Sequence, residues 1–333
     1  MNKFLVIGAN EINEWLNQNA NVIIDLVENC YLSFSKGDAI CPDSYFLRFP
    51  NEPINRIIAL PSSIESGDDA VAGIKWISSF PKNIENSLDR ASAVLILNDR
   101  STGYPIACLE GSLISAYRTA ASAIVGAQHL HSKSKTIEHL TIIGSGLISH
   151  TTINLFKLLG WTIKKISVVD KDLNRAQLFC EKIGDSIDWS YSSKTDSIAD
   201  SDMVLFATSA IEPYINDPSL FTHNPTILHM SLRDISPEIV LNAQNFADDV
   251  DHAVKANTSL HLAEQKVNNR NFIDGSISEL LKGIKKPDLS KTRIWSPFGM
   301  GILDISVGYK IYQDVSSDNV TVVDNFFPKP YVV

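Results

Sequence analysis

With 333 residues, 44% of them hydrophobic and 20% charged, the chain is long enough for two ordinary domains and a sizeable core. The net charge of −9 argues against a nucleic-acid partner, because phosphate binding needs a basic surface and the lysines and arginines here are spread rather than blocked. No run approaches the ~20 apolar residues of a membrane span, the first residues lack a secretory pattern, and the expected location is the cytoplasm.

The four cysteines, Cys30, Cys41, Cys108 and Cys180, form no C-x-x-C pair and read as reduced thiols. The eight histidines show no ligand spacing, so no metal is expected. In chain order, the residues predict a helix over Glu11–Ser35 and then short β-rich runs: YFLRFP, NRIIALPS, AVAGIKWISS, AVLILND and YPIACLEG. Such a series suggests a mostly antiparallel sheet. GSLISAYRTAASAIVGA, from Gly111 to Ala127, follows as a closely packed helix with one arginine, Arg118. A buried guanidinium is costly unless paired, so its head either reaches water or meets an anion.

From about His139 the texture changes. LTIIG, KKISVVD, DMVLFATS and TILHMS read as strands, and LISHTTINLFKLLG and DLNRAQLFCEKIG as amphipathic helices. That alternation implies βαβ units and a parallel sheet. Near residue 300, SPFGMGILDIS is a turn entering a helix, and VTVVDNF is a last strand that returns to the first domain. The fold class is therefore α/β. A Rossmann dinucleotide-binding domain is expected over 126–304, and a mixed α+β substrate-binding and dimerisation domain over 1–125 plus 305–333.

Gly144-Ser145-Gly146 stands directly after a strand and opens a helix through Leu147 and Ile148. In a Rossmann turn the first glycine makes the bend and the second admits the pyrophosphate to the helix N-terminus. Ser149 takes the third, small position. Asp170, ending ISVVD, falls where an acidic residue hydrogen-bonds the adenosine ribose and repels a 2′-phosphate, which favours NAD over NADP. Lys171 and Arg175 weigh the other way, and the alternative role for Asp170 is to cap the next helix. On the reacting side, Arg48, Lys75 and Arg118 are cations embedded in apolar stretches, where a merely solvated charge is out of place. Asp234 follows a parallel strand, where catalytic groups collect, and could serve as general acid or base. Its alternative is to cap the helix SPEIVLNAQ, although Ser236 is the better cap.

Together AVAGIKWIS, ILNDRSTGYPIACLEGSLISAYRTAASA, TIIGSGLIS and FGMGILDIS resemble the ornithine cyclodeaminase/μ-crystallin family over essentially the whole chain. The stretch with Tyr104-Pro105, Glu110 and Arg118-Thr119-Ala120-Ala121 is the most specific. The resemblance implies homodimers of two-domain subunits that use NAD or NADP and act on amino acids through α-imino intermediates. It also implies that Lys75 contacts the substrate carboxylate and helps activate the reacting centre, and that Arg48 and Arg118 bind carboxylate. Asp234 would be the catalytic acid/base and Thr119 a neighbour of the cofactor phosphates. Thr208 and Ser209 would contact the cofactor, with Met300 near the nicotinamide.

One departure is SLRDISPEI, where many members carry a glycine-bearing loop and a Pro-Gly-Lys-x-Glu run. With NRIIALPS and KWISSFPKNIENSLDRAS, it is similar to the branch of N-(2-amino-2-carboxyethyl)-L-glutamate dehydrogenases, which serve siderophore and peptide-antibiotic synthesis. That tricarboxylate asks for extra cations, and Arg90 and Arg233 are available. Other reactions of the family, such as cyclodeamination, alanine dehydrogenation, and ketimine or pyrroline-2-carboxylate reduction, remain alternatives. So does non-catalytic binding.

Overall fold

The computed structural model describes residues 3–65, 70–131, 134–184, 186–315 and 320–329. The chain divides into two compact units, Met1–Arg118 with Met300–Val333, and Thr119–Gly299.

The first unit begins with strand β1 (Phe4–Ile7) and helices α1 (Ala9–Gln18) and α2 (Ala20–Lys36). The single helix predicted over Glu11–Ser35 is thus two, interrupted at Asn19, whose backbone (φ −119°, ψ 32°) is not helical. Strands β2 (Ala39–Ile40), β3 (Tyr45–Arg48), β4 (Arg56–Ile64), β5 (Val71–Ser79), β6 (Ala91–Asp99) and β7 (Pro105–Glu110) follow. Strand β6 alternates: Ala93, Leu95 and Leu97 are buried, whereas Ser92 and Val94 are exposed. Such alternation marks a sheet with one face on a core.

Helix α3 (Gly111–Leu130) starts in this unit and contributes its residues from Thr119 onward to the other. Its later part is fixed there by Trp295, whose Nε1 donates to Ser122 O at 2.9 Å. A Cβ on Gly126 would stand 2.2 Å from the Trp295 ring, so only glycine permits this approach.

The second unit holds β8 (Thr136–Ile143), α4 (Leu147–Leu158), β9 (Thr162–Val169), α5 (Leu173–Ile183), β10 (Asp188–Ser192), β11 (Met203–Phe206) and β12 (Thr226–His229). After α6 (Pro237–Leu241) come β13 (Gln244–Ala247), α7 (Val250–Ala253), α8 (Ser259–Val267), β14 (Ile273–Ser276), α9 (Ile277–Leu281) and β15 (Arg293–Ser296). Its sheet runs β10-β9-β8-β11-β12-β15-β13-β14 and is parallel throughout. Strand order reverses between β8 and β11, and in open α/β sheets ligands bind outside the carboxyl ends at such a point. The core strands are continuously buried, as in β11 and β12, which explains their unbroken apolar sequence.

The chain then re-enters the first unit as α10 (Gly301–Asp314) and β16 (Thr321–Val323). The first sheet reads β16-β1-β7-β6-β5-β4-β2, with β3 also on β4. All its pairs are antiparallel except β1 with β7. Helix α10 packs on β4, β5 and β6. The unit breaks therefore fall at 118/119 and 299/300, several residues before the predicted 125 and 304. Short strands β1, β2, β10, β13, β14 and β15 were not predicted.

Candidate active site

In the first unit, Lys75 of β5 and Arg118 of α3 both meet Asp304 of α10. Lys75 Nζ donates to Asp304 Oδ2 at 2.8 Å and to Ser115 Oγ at 3.0 Å, and Arg118 Nε donates to Asp304 Oδ1 at 3.2 Å. Relative exposures are 2% for Lys75, 8% for Arg118 and 0% for Asp304, so Arg118 does not reach bulk water. Its counter-ion is an internal carboxylate that no local sequence pattern announces. Burial lowers the Lys75 ammonium to about 8, with repulsion from Arg118 adding to the shift and Asp304 opposing it. Two buried cations share one carboxylate, which leaves positive charge for an incoming anion.

In the second unit, Asp234 lies beyond β12 with 0% exposure. Its Oδ1 accepts from Thr208 Oγ1 at 2.5 Å and Tyr214 Oη at 3.2 Å, and its Oδ2 from Ser231 Oγ. His229 Nε2 stands 3.2 Å from both Oδ2 and the Asp234 amide. Burial raises the Asp234 carboxyl, but hydrogen bonding and charge from His229, with the Ser231 and Thr208 hydroxyls, outweigh it and hold the group below the usual carboxylate range. Burial and the adjacent carboxylate push the Tyr214 phenol up. Asp234 makes no helix cap; Ser236 holds that position, without a side-chain capping bond.

The glycine turn follows β8. Gly144 has φ +96°, and a Cβ there would stand 2.5 Å from Ala207 O at the end of β11, so the turn demands glycine. A Cβ on Gly146 would meet nothing within 4 Å, and α4 starts without a side-chain cap. Open space before an uncapped 12-residue helix fits the pyrophosphate of a dinucleotide. Leu147 is exposed, Ile148 half-buried, and Ser149 fully buried with its Oγ on Gly144 O, which suits the small third position. Asp170 accepts from Ser145 N at 2.8 Å and Ser145 Oγ at 2.5 Å. Burial raises its carboxyl, while these bonds and Arg175 bring it below the usual range. The helix cap of α5 is Asp172 instead.

The remaining predicted residues divide. Thr208 spends its hydroxyl on Asp234 and accepts from Ala210 N at 3.0 Å, while Ser209 and Lys171 are exposed. Thr119 opens the part of α3 that belongs to the second unit, and Met300, the buried N-cap of α10, belongs to the first. Arg48 is exposed on β3, and Arg90 Nη1 donates to Ser79 Oγ at 2.9 Å. Arg233 donates from Nε and Nη2 to Ala256 O, a backbone anchor rather than a free cation. Besides Asp304, Tyr214, His229 and Ser231 are not among the residues expected from the sequence. The signal is that HMS-x-x-D places His229 and Ser231 beside Asp234 in the chain.

A glycine turn at the switch point of a parallel sheet, and a buried cationic cluster on a second sheet, define a dinucleotide-fold protein with a separate anion-binding cluster. The sequence profile of the ornithine cyclodeaminase/mu-crystallin family matches residues 5–319, and the chain belongs to that family. It is 29% identical to an N-((2S)-2-amino-2-carboxyethyl)-L-glutamate dehydrogenase from Staphylococcus aureus, over 98% of this chain and 99% of that one. The fold is similar to a Thermococcus litoralis Δ1-pyrroline-2-carboxylate reductase in complex with NADH and L-proline, with a TM-score of 0.84 and 22% identity over 93% of this chain and 96% of the other. It is also similar to an archaeal alanine dehydrogenase dimer with bound NAD, with a TM-score of 0.83 and 20% identity over 97% and 100%.

Proposed function

We propose that the protein is an NAD+-dependent oxidoreductase that oxidises N-(2-amino-2-carboxyethyl)-L-glutamate and releases L-2,3-diaminopropionate and 2-oxoglutarate, the former for a siderophore or peptide-antibiotic pathway. The single observation that carries this reading is the buried Lys75–Arg118–Asp304 cluster, where two cations share one carboxylate and await an anion. The Staphylococcus aureus relative, aligned end to end, supports the substrate.

When bound, NAD+ supplies the hydride acceptor. Gly144, Ser145, Gly146, Leu147 and Ile148 would hold its pyrophosphate, with Asp170 and Lys171 toward the ribose, and Thr119, Thr208, Ser209 and Met300 as further contacts. The Asp170 carboxylate, ionised at neutral pH, favours NAD over NADP. Lys75, Arg118 and Arg48 hold substrate carboxylate.

The glutamate Cα–H bond breaks with loss of hydride and the amine loses its proton, giving a C=N bond. Water then adds to that carbon, and Asp234 takes the water proton, exchanging one of its hydroxyl donors for the water to do so. Proton return to nitrogen, with loss of the new hydroxyl's proton, lets C=O form as the C–N bond breaks, releasing the ketone and the amine.

The exposed Trp76 and Val94, with half-buried Ile74 and Ile96, give the first sheet an apolar outer face, which supports a homodimer built on it. Among the described residues no helix is long and apolar enough to cross a membrane; the proposed location is cytoplasmic. To test the reaction, NAD+ is incubated separately with the glutamate adduct, ornithine, alanine and proline. The adduct should give NADH and 2-oxoglutarate; NADH from alanine or proline alone would reject it.

A further inference from the structure

We propose that Arg56 and Arg90, beside Arg48 on the Lys75 face of the first sheet, form a second carboxylate subsite that selects substrates with a carboxylate distant from the reacting bond. The proposal rests on the substrate reading above. Register carries the placement: Arg48 on β3 stands opposite Arg56 on β4, which stands opposite Ser79 on β5. Residues directly opposite on antiparallel strands share a face. Ser79 lies four residues beyond Lys75, hence on the same face and about 13 Å along the strand, a gap that long cationic side chains narrow. Arg90 reaches this row through its 2.9 Å bond to Ser79 Oγ.

Charge makes the row unusual. Like charges directly opposite across strands are destabilising, yet among the described residues none of the three guanidiniums has a carboxylate partner. Elsewhere Arg100 pairs with Glu65, and Arg270 with Asp251 and Glu264. Arg48 stacks instead over the Phe46 ring, 5.0 Å from its centroid. Arg56 Nε is buried with no hydrogen-bond partner, a donor left unsatisfied. Burial and the neighbouring Arg48 also lower Arg56, as expected of a cation lacking a counter-ion. A carboxylate supplies that counter-ion and matches the planar fork of guanidinium.

The test is calorimetry on the NADH-bound protein with 2-oxoglutarate and with 2-oxobutyrate, which lacks the distal carboxylate. Wild type should prefer 2-oxoglutarate by at least roughly tenfold. Arg56→Gln and Arg90→Gln, checked for native melting, should each bring the two ligands to within about threefold, and Arg56→Lys should recover part of the preference. An unchanged preference in a folded Arg56→Gln protein overturns the subsite. The turnover counterpart is the kcat/KM ratio between the glutamate adduct and its norvaline analogue, which should fall by the same factor. If wild type oxidises neither adduct but the binding preference collapses in the variants, the subsite stands and the substrate reading fails.

Discussion

Asp304 and Asp234 are both 0% exposed, one in each unit, but their partners differ in kind. Asp304 is held by two cations, Lys75 and Arg118, and so acts as a fixed counter-charge. Asp234 is surrounded by the hydroxyls of Thr208, Tyr214 and Ser231 and by His229, partners that can rotate or exchange protons. A carboxylate held between two cations stabilises a binding site; one bonded to exchangeable donors can trade a partner for water. The contrast supports the proposal that the first cluster binds substrate and the second moves protons.

The largest effect that can break this contrast is at Asp234. Asp234→Asn keeps the shape but removes the base, and turnover should fall by about 10²–10⁴-fold, with NAD+ affinity, read by calorimetry, near that of wild type. Intact activity would end the proton-transfer role. Asp304→Asn should act on stability first, because it strands two buried cations; removing one partner of a buried pair costs about 3–5 kcal/mol, read as a lowered urea midpoint. Arg118→Lys keeps the charge but not the fork, and should raise KM by about tenfold with a smaller change in kcat. An unchanged KM would make Arg118 a structural cation only.

A smaller effect concerns pH. The Lys75 pKa is lowered from 10.5 to about 8, so the cation is lost as pH rises through about 8 rather than near 10.5. The kcat/KM profile should therefore fall on that alkaline side. Asp234, held below the usual carboxylate range, stays ionised through neutral pH and adds no limb there. The stability it contributes is present above the ordinary carboxylate range and lost as pH falls through its lowered value.

Much of this was legible in local pattern. The Gly144-Ser145-Gly146 turn and Asp170 were found because strand, turn and helix succeed one another within a short stretch. Lys75 and Arg118 stand out as cations in apolar stretches, and Asp234 as a carboxylate just beyond a parallel strand. Asp304 was not: its partners lie 229 and 186 residues away in the chain, and no local spacing reports them. Arg56 escaped for the same reason, since its neighbours follow from strand register rather than from sequence distance. The helix break at Asn19 carries no proline or glycine signal, and strands of four residues such as β13 and β15 take their shape from the sheet they complete.

The most direct test follows the hydrogen on the glutamate Cα. With substrate deuterated at that carbon, the NADH formed should carry the deuterium, and 2-oxoglutarate and diaminopropionate should form in equal amounts. Deuterium retained in the organic products, or cleavage without NADH, would contradict the account.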